Sequence, residues 1–142
     1  MTIEMDTAEM DTAVAFAADT PPGPAARVCR YEDLIAGRGV AVLLPDMTQA
    51  AVFRTFDGRL FGVGNLDPAT GAHVISRGLT GSRDGAPTVA SPMLKHVYDL
   101  ATGQCVDGPA GREPYALAVF PVRCDEGVVY IHTAPPIVAG GN

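Results

Sequence analysis

The chain has 142 residues, which is enough for one domain but not for two. Its formal net charge is −6, and it carries no basic stripe with interleaved aromatic residues, so nucleic-acid binding is excluded. No stretch approaches the ~18 consecutive apolar residues of a membrane-spanning helix. The three cysteines are too widely spaced for a zinc motif or a disulfide framework, which favours a reducing, cytoplasmic location.

The two ends of the chain differ in composition from its middle. Residues 1–25 have few bulky side chains, no Lys or Arg before the final Pro-rich run TPPGPAA, and several acidic residues. Such a segment buries too little apolar surface to fold alone, so it is predicted to be a flexible extension. Residues 135–142 are predicted to be a C-terminal tail, which leaves a nearly neutral folded domain over 26–134.

The first half of this domain favours short strands. Apolar runs lie at GVAVLL (39–44), AAVFRTF (50–56) and LFGVG (60–64). The last two runs flank Asp57 and Gly58, a pair typical of a type I′ hairpin turn, which needs positive φ at both centres. The sequence therefore predicts a hairpin here.

The second half also favours strands, with a long loop before them. Strands are predicted at TVAS (88–91), LKHVYDL (94–100), YALAVFPVRC (115–124) and GVVYIHT (127–133), the last two joined by a turn at 125–127. Pro121 cannot donate to a ladder, so it predicts an edge or bulge position. YEDLIAG (31–37) is the one helix-like piece, with one or two turns. The pattern indicates an all-β domain, an antiparallel sandwich or partly open barrel, with a long loop over about 65–92.

Two fragments, NLDPATGAHVISRG (65–78) and VASPMLKHVYDLATGQCV (89–106), resemble the two cluster-holding loops of the Rieske iron–sulfur fold. Rieske domains carry Cys-x-His near a Gly-Ala in one loop and Cys-Pro-x-His before an aromatic residue and a Thr-Gly turn in the other. The matching frame residues are Pro68, Gly71, Ala72, Pro92, Tyr98, Asp99, Leu100, Thr102 and Gly103. The resemblance implies a Rieske-like β domain.

The cluster ligands themselves are replaced. On this alignment the first Cys and His fall on Asp67 and Ala69, and the second pair falls on Ser91 and Leu94. A Rieske cluster needs two thiolates and two imidazoles. Alanine and leucine have no donor atom, and carboxylate or hydroxyl oxygen is a poor substitute for thiolate. The resemblance therefore implies a Rieske-shaped domain that holds no cluster or other metal.

One family within this fold is the more specific match. The string Gly64-Asn65-x-Asp67-Pro68, followed by Gly71-Ala72, Ser76-Arg77-Gly78 and Val89-Ala90-Ser91-Pro92, resembles the small subunit of the assimilatory NAD(P)H-dependent nitrite reductase. The resemblance implies a non-catalytic accessory chain without a cofactor of its own. The partner it implies is a large subunit that carries FAD, siroheme and a [4Fe–4S] cluster and reduces nitrite to ammonia with NAD(P)H.

Two other functions stay open at this point. A Rieske-type [2Fe–2S] electron carrier could use displaced ligands, for which His73, His96 and Cys105 are candidates. A stand-alone ligand-binding β module is the second alternative. The simpler interpretation of His73, His96, His132, Cys29, Cys105 and Cys124 is that they are core or surface residues of strands.

The candidates for docking to the partner subunit are Arg77, Arg83 and Met93. Arg77 and Arg83 lie in the Gly-rich stretch SRGLTGSRDG (76–85), which is either a docking loop or a solvated one. Met93 and Leu94 either form an exposed contact surface or fill the space of the missing cluster, and filling is favoured.

Two of the former ligand positions have two possible roles. Asp67 and Ser91 either hold the two loops together by hydrogen bonds or lie on a solvated tip.

Overall fold

The computed structural model describes residues 2–4, 25–110 and 113–133, and over these residues the chain is all-β. Short 3₁₀ helices lie at Tyr31–Asp33 and Ile75–Arg77. The strands are β1 Thr2–Glu4, β2 Ala25–Arg30, β3 Arg38–Leu43, β4 Gln49–Arg54, β5 Leu60–Gly64, β6 Leu79–Arg83, β7 Ala86–Ala90, β8 Val97–Asp99, β9 Cys105–Asp107, β10 Val119–Phe120, β11 Val122–Asp125 and β12 Val128–His132. The predicted fold class is confirmed, and the helix predicted over 31–37 is the single 3₁₀ turn Tyr31–Asp33.

The strands form three sheets. The first has the order β1-β3-β4-β5-β10, the second β11-β12-β2 and the third β6-β7-β8-β9. Neighbouring strands are antiparallel except β1 and β3, which are parallel. Strand β1 belongs to the segment predicted to be a flexible extension, so that prediction is wrong for Thr2–Glu4. The rest of that predicted extension, residues 5–24, and the predicted C-terminal tail, 135–142, lie outside the residues that the structure describes.

The two larger parts of the core lie one on each face of the first sheet, and a small third cluster of Ala25, Tyr130 and Val128 lies on the second sheet. Val52 of β4 packs toward the second sheet with Val129 and Ile131. Its neighbour Phe53 packs toward the third sheet with Tyr98. Successive side chains of a strand point to opposite faces, so a strand buried on both sides is apolar at every position. This is why the run AAVF in β4 does not alternate with polar residues.

The turns correct one detail of the prediction. The β4–β5 hairpin forms around Asp57 and Gly58, but only Gly58 has a positive φ, 90°. The connection is therefore a longer loop that ends on a left-handed glycine, rather than a two-residue type I′ turn. Positive φ at two successive residues occurs instead at Asp84-Gly85, between β6 and β7, and at Glu126-Gly127, between β11 and β12.

The long loop predicted over 65–92 contains more structure than expected. The 3₁₀ helix Ile75–Arg77 and the β6–β7 hairpin lie within it, so most of the stretch 76–85 is not a mobile loop. The Asp84-Gly85 pair was the available signal, since Asp-Gly between two strands is a strong hairpin indicator.

Pro121 divides the strand predicted over 115–124. Strand β10, before it, belongs to the first sheet, and β11, after it, belongs to the second. The proline has no N–H to donate, but its carbonyl accepts a 2.9 Å hydrogen bond from His132 N. The chain thus passes from one sheet to the other at this residue.

Strands from the two ends of the domain are neighbours in the second sheet. Strand β2 pairs antiparallel with β12, and Ala25 lies opposite His132. Both residues are fully buried. Separately, among the described residues no helix has the length and apolar character needed to cross a bilayer.

Candidate functional site

The two loops that resemble cluster-holding loops lie side by side. The first loop, residues 65–74, follows β5, and the second loop, residues 91–96, joins β7 to β8. Each is closed by backbone hydrogen bonds at its own base. Asp67 N donates to Ala72 O at 2.8 Å in the first loop, and Ser91 N donates to His96 O at 2.8 Å in the second.

Asn65 anchors the base of the first loop. Its side chain is buried; Nδ2 donates to Gln49 Oε1 at 3.0 Å and to His73 O at 3.3 Å, and Oδ1 accepts from Ser76 N at 2.7 Å. A single amide thus connects β4, both ends of the loop and the following 3₁₀ helix. The sequence marks Asn65 only as part of the family string and does not indicate this role.

Asp67 and Ser91 connect the two loops. Ser91 Oγ donates to Asp67 Oδ2 at 2.5 Å, and neither residue has any exposed surface. Asp67 Oδ1 also accepts from Ala69 N at 2.9 Å, and Ser91 Oγ accepts from Met93 N at 3.3 Å. The interpretation that these side chains hold the loops together is therefore the one that agrees with the structure, and the solvated-tip alternative is wrong.

Tyr98 of β8 lies beneath this pair. Its hydroxyl donates a long hydrogen bond, 3.4 Å, to Asp67 Oδ1, and the residue is fully buried. Burial, followed by the nearby charge of Asp67, raises the pKa of the Tyr98 phenol above its usual value. The phenol therefore remains a neutral hydrogen-bond donor to the carboxyl group through the physiological pH range.

The apolar residues at the tip of the second loop point outward. Met93 is 51% exposed and Leu94 is 47% exposed, so the prediction that they fill the site of the missing cluster is wrong. Two features explain this. Lys95, at φ 66°, donates its N–H to Ser91 O at 3.1 Å and turns the tip away from the domain. The space between the loops is already occupied by the side chains of Asp67 and Ser91.

These residues do not fit a [2Fe–2S] cluster. Asp67 and Ser91 are hydrogen-bonded to each other, so their oxygens are directed at one another and not at an ion. Ala69 has no donor atom, and Leu94 is a half-exposed apolar side chain. The thiolates and imidazoles that such a cluster requires are absent from all four positions.

The displaced ligands considered as an alternative have other environments. His96 is buried, and its Nε2 lies 3.0 Å from Glu113 Oε2. Cys105 is also buried, with Sγ 3.3 Å from Asp107 O, whereas His73 is exposed. Across residues 2–4, 25–110 and 113–133, no three His, Cys, Asp or Glu side chains form a potential metal site. The His96–Glu113 contact has no sequence signal, because it joins residues 17 positions apart with β8 and β9 between them.

The three predicted docking residues lie in different settings. Arg83 forms an ion pair with Asp107 at 3.0 Å, joining the two edge strands of the third sheet. The hydrogen bond from Arg83 lowers the pKa of Asp107. Arg77 is exposed at the end of the second 3₁₀ helix, and Met93 is exposed at the tip of the second loop.

Comparison with known proteins identifies relatives of this domain. The sequence profile of the Rieske-like [2Fe-2S] domain matches residues 26–132. The NADH nitrite reductase small subunit of Escherichia coli K12 is 32% identical over 105 residues, which cover 73% of this chain and 93% of that protein. A crystal structure from Mycobacterium tuberculosis, provisionally described as an NADH-dependent nitrite reductase small subunit, is 44% identical with a TM-score of 0.69, covering 75% of this chain and 92% of that one.

A third relative carries the same domain within a much longer protein. The large subunit of the NAD(P)H nitrite reductase of Klebsiella oxytoca is 32% identical over 111 residues, which are 78% of this chain but only 11% of that protein. The fold, the two loops and the near-complete coverage of the small-subunit relatives agree. The chain belongs to the Rieske-like family of NAD(P)H nitrite reductase small subunits.

Proposed function

We propose that this chain is the non-catalytic accessory small subunit of a cytoplasmic NAD(P)H-dependent nitrite reductase. The observation that carries the proposal is the buried Asp67–Ser91 hydrogen bond. It stands where the loop frame would otherwise hold iron, so the domain keeps a Rieske scaffold and closes its redox site with protein atoms. Such a domain contributes shape and contacts to a complex and no electron transfer.

The partner in this proposal is the large catalytic subunit. The Klebsiella oxytoca relative supports it, because a domain similar to this chain occurs there within a large-subunit polypeptide. FAD, siroheme, a [4Fe–4S] cluster and the NAD(P)H site all belong to the large subunit in this scheme. Nitrite reduction to ammonia takes place there, and the small subunit stabilises or shapes the catalytic chain.

The two subunits, expressed together and separately, test the proposal. The large subunit is expected to gain NAD(P)H-dependent nitrite reduction or thermal stability when this chain is present. The small subunit alone is expected to be colourless and inactive. Stoichiometric iron with a Rieske-type spectrum in the purified small subunit would assign it to the electron carriers instead. Equal activity and stability of the large subunit with and without this chain would contradict an accessory role.

A further inference from the structure

Two arginines on one side of the domain have no side-chain partner among the residues that the structure describes. Other arginines are paired: Arg30 with Glu32 at 2.8 Å, Arg59 with Asp57 at 3.0 Å and Arg83 with Asp107 at 3.0 Å. Arg38, at the start of β3, and Arg77 are exposed and form no ion pair or side-chain hydrogen bond with the residues that the structure describes. Their guanidinium groups are therefore available to a partner outside the described residues.

Arg38 and Arg77 line the same groove. Its volume is about 400 Å³. Among the described residues, its remaining lining consists of Ser76, Leu79 and three glycines and includes no acidic side chain. Arg38 also borders a smaller adjoining groove together with Ile35 and Asp33. Among the described residues, Asp33 is the one acidic side chain in either groove, and it forms no ion pair with Arg38. Both cations thus face one concave surface.

Exposed apolar side chains surround this groove. Phe56 is 78% exposed, Leu79 is 76% exposed and Ile35 is 63% exposed. The Phe56 ring lies directly over Gly37, where an added Cβ would overlap it. Thr80, next to Leu79, donates its hydroxyl to Gly37 O at 2.8 Å. These contacts place Phe56 and Leu79 next to Gly37, which lines the groove with both arginines, and Ile35 lies beside Arg38 in the adjoining groove.

This composition is that of a protein interface. Arginine and aromatic residues are enriched at protein interfaces, and a grouped set of exposed apolar side chains is unusual on a protein that acts alone. The tip of the second loop offers Met93 and Leu94 but no arginine; its neighbouring cation is Lys95. The groove therefore has the more specific chemistry, since two arginines in one concavity favour anionic groups, which on a protein surface are carboxylates.

We propose that the basic–apolar face, formed by Ile35, Arg38, Phe56, Arg77 and Leu79, is the surface that docks onto the large subunit. Its complement is an apolar patch of that subunit bearing carboxylate side chains, which receive Arg38 and Arg77. This inference rests on the proposed function and adds the face and the chemistry of the contact.

Binding of purified large subunit to immobilised small subunit, measured by biolayer interferometry at several salt concentrations, tests the face. The double variant Arg38→Glu/Arg77→Glu is expected to raise Kd by about 30-fold or more and to remove most of the salt dependence. Leu79→Ser is expected to raise Kd by about tenfold. All three side chains are exposed, so thermal unfolding should confirm that the variants remain folded.

The matched controls are Lys95→Glu and Met93→Ser, which change a cation and an apolar residue on the other exposed face. Both are expected to leave Kd unchanged. If they weaken binding while Arg38→Glu/Arg77→Glu does not, the second loop is the docking surface and the inference is wrong. If the unaltered chain fails to bind the large subunit, the proposed function fails, and the docking inference fails with it.

Discussion

Ser91 Oγ donates a 2.5 Å hydrogen bond to Asp67 Oδ2, and both residues are fully buried between loops that are 24 residues apart in sequence. Each of the two residues stands at a position that the family resemblance equates with a cysteine ligand. A hydrogen bond thus joins the loops at the place where a cluster would otherwise bridge them. Protein atoms therefore hold the two loops together at this place.

This pair predicts a measurable contribution to stability. Ser91→Ala leaves the buried Asp67 carboxyl without its shortest hydrogen bond, and the free energy of unfolding is expected to fall by about 1–3 kcal/mol. Urea unfolding measures the loss, with Ser82→Ala, on the exposed strand β6, as the control expected to be nearly neutral.

A double-mutant cycle with Asp67→Ala isolates the contact between the two side chains. The coupling energy is expected to be about 1 kcal/mol or more, because each substitution removes the same hydrogen bond. A Ser91→Ala variant as stable as the Ser82→Ala control would contradict the role assigned to the pair.

Placing the Rieske ligands at the four replaced positions is expected to give the domain an iron–sulfur cluster. The variant Asp67→Cys/Ala69→His/Ser91→Cys/Leu94→His is expected to take up a [2Fe–2S] cluster on reconstitution with iron and sulfide, since the loop frame is retained and two thiolates with two imidazoles are then in place. Iron analysis and visible absorption are the measurements. The triple variant that retains Ser91 is the control and is expected to bind little iron. Equal iron in both variants would mean that these four positions are not the ligand positions.

The raised pKa of the Cys29 thiol is expected to make the fold less stable at alkaline pH. Burial, followed by the charge of Asp33 and partly offset by Arg27, raises the pKa of its thiol from 9.0 to about 11. The folded state therefore holds the thiol proton more tightly than the unfolded state. This stabilisation is fully present below pH 9 and is lost as the pH rises toward 11.

Urea unfolding at pH 8 and pH 10 tests the thiol effect. Between these values the unaltered chain is expected to lose more stability than Cys29→Ala, while Cys124→Ala, at an exposed thiol, should behave like the unaltered chain. Tyr98 acts in the same direction but begins only above its usual value of 10.0, so it contributes little in this range. Identical slopes for the chain and Cys29→Ala would refute the assignment.

Substitutions at two glycines can distinguish the cost of a left-handed backbone from the cost of a steric overlap. Gly71 and Gly103 have nearly equal φ values, 80° and 81°. A Cβ added at Gly103 would overlap the carbonyl oxygen of Leu117, whereas a Cβ added at Gly71 would meet no atom within 4 Å. Gly71→Ala is expected to cost about 1 kcal/mol of stability from the left-handed conformation alone. Gly103→Ala should cost about 3 kcal/mol or more, because the overlap adds to it. Thermal or urea unfolding compares them, and equal losses would disprove the packing argument.

Local patterns were sufficient to predict most strands. Alternating or continuous apolar runs identified β3, β4, β5 and β12 closely, and the Asp57-Gly58 pair located a hairpin. The patterns failed where pairing partners are distant. Strand β2 owes its conformation to β12, about 100 residues later, and Pro121 carries no sign that the chain changes sheets there.

The candidate site was predictable only through the family frame. Nothing local to Asp67 or Ser91 indicates that their side chains meet, since the contact depends on how the first and third sheets pack. The expectation for Leu94 was wrong because an apolar residue beside a missing cofactor was assumed to move inward. The small polar pair had already closed the space, and the strand-like pattern of 94–100 gave no sign of the turn at Lys95.

The pairing of Ala25 with His132 has a consequence for how this domain can be built into larger proteins. Because these residues are adjacent in the second sheet, the segment matched by the family profile, residues 26–132, begins and ends on two neighbouring strands. A longer chain that contains this domain can therefore have its two connections on neighbouring strands. The Klebsiella oxytoca large subunit, with a matching segment that makes up 11% of its length, is the kind of architecture that such adjacent entry and exit points permit.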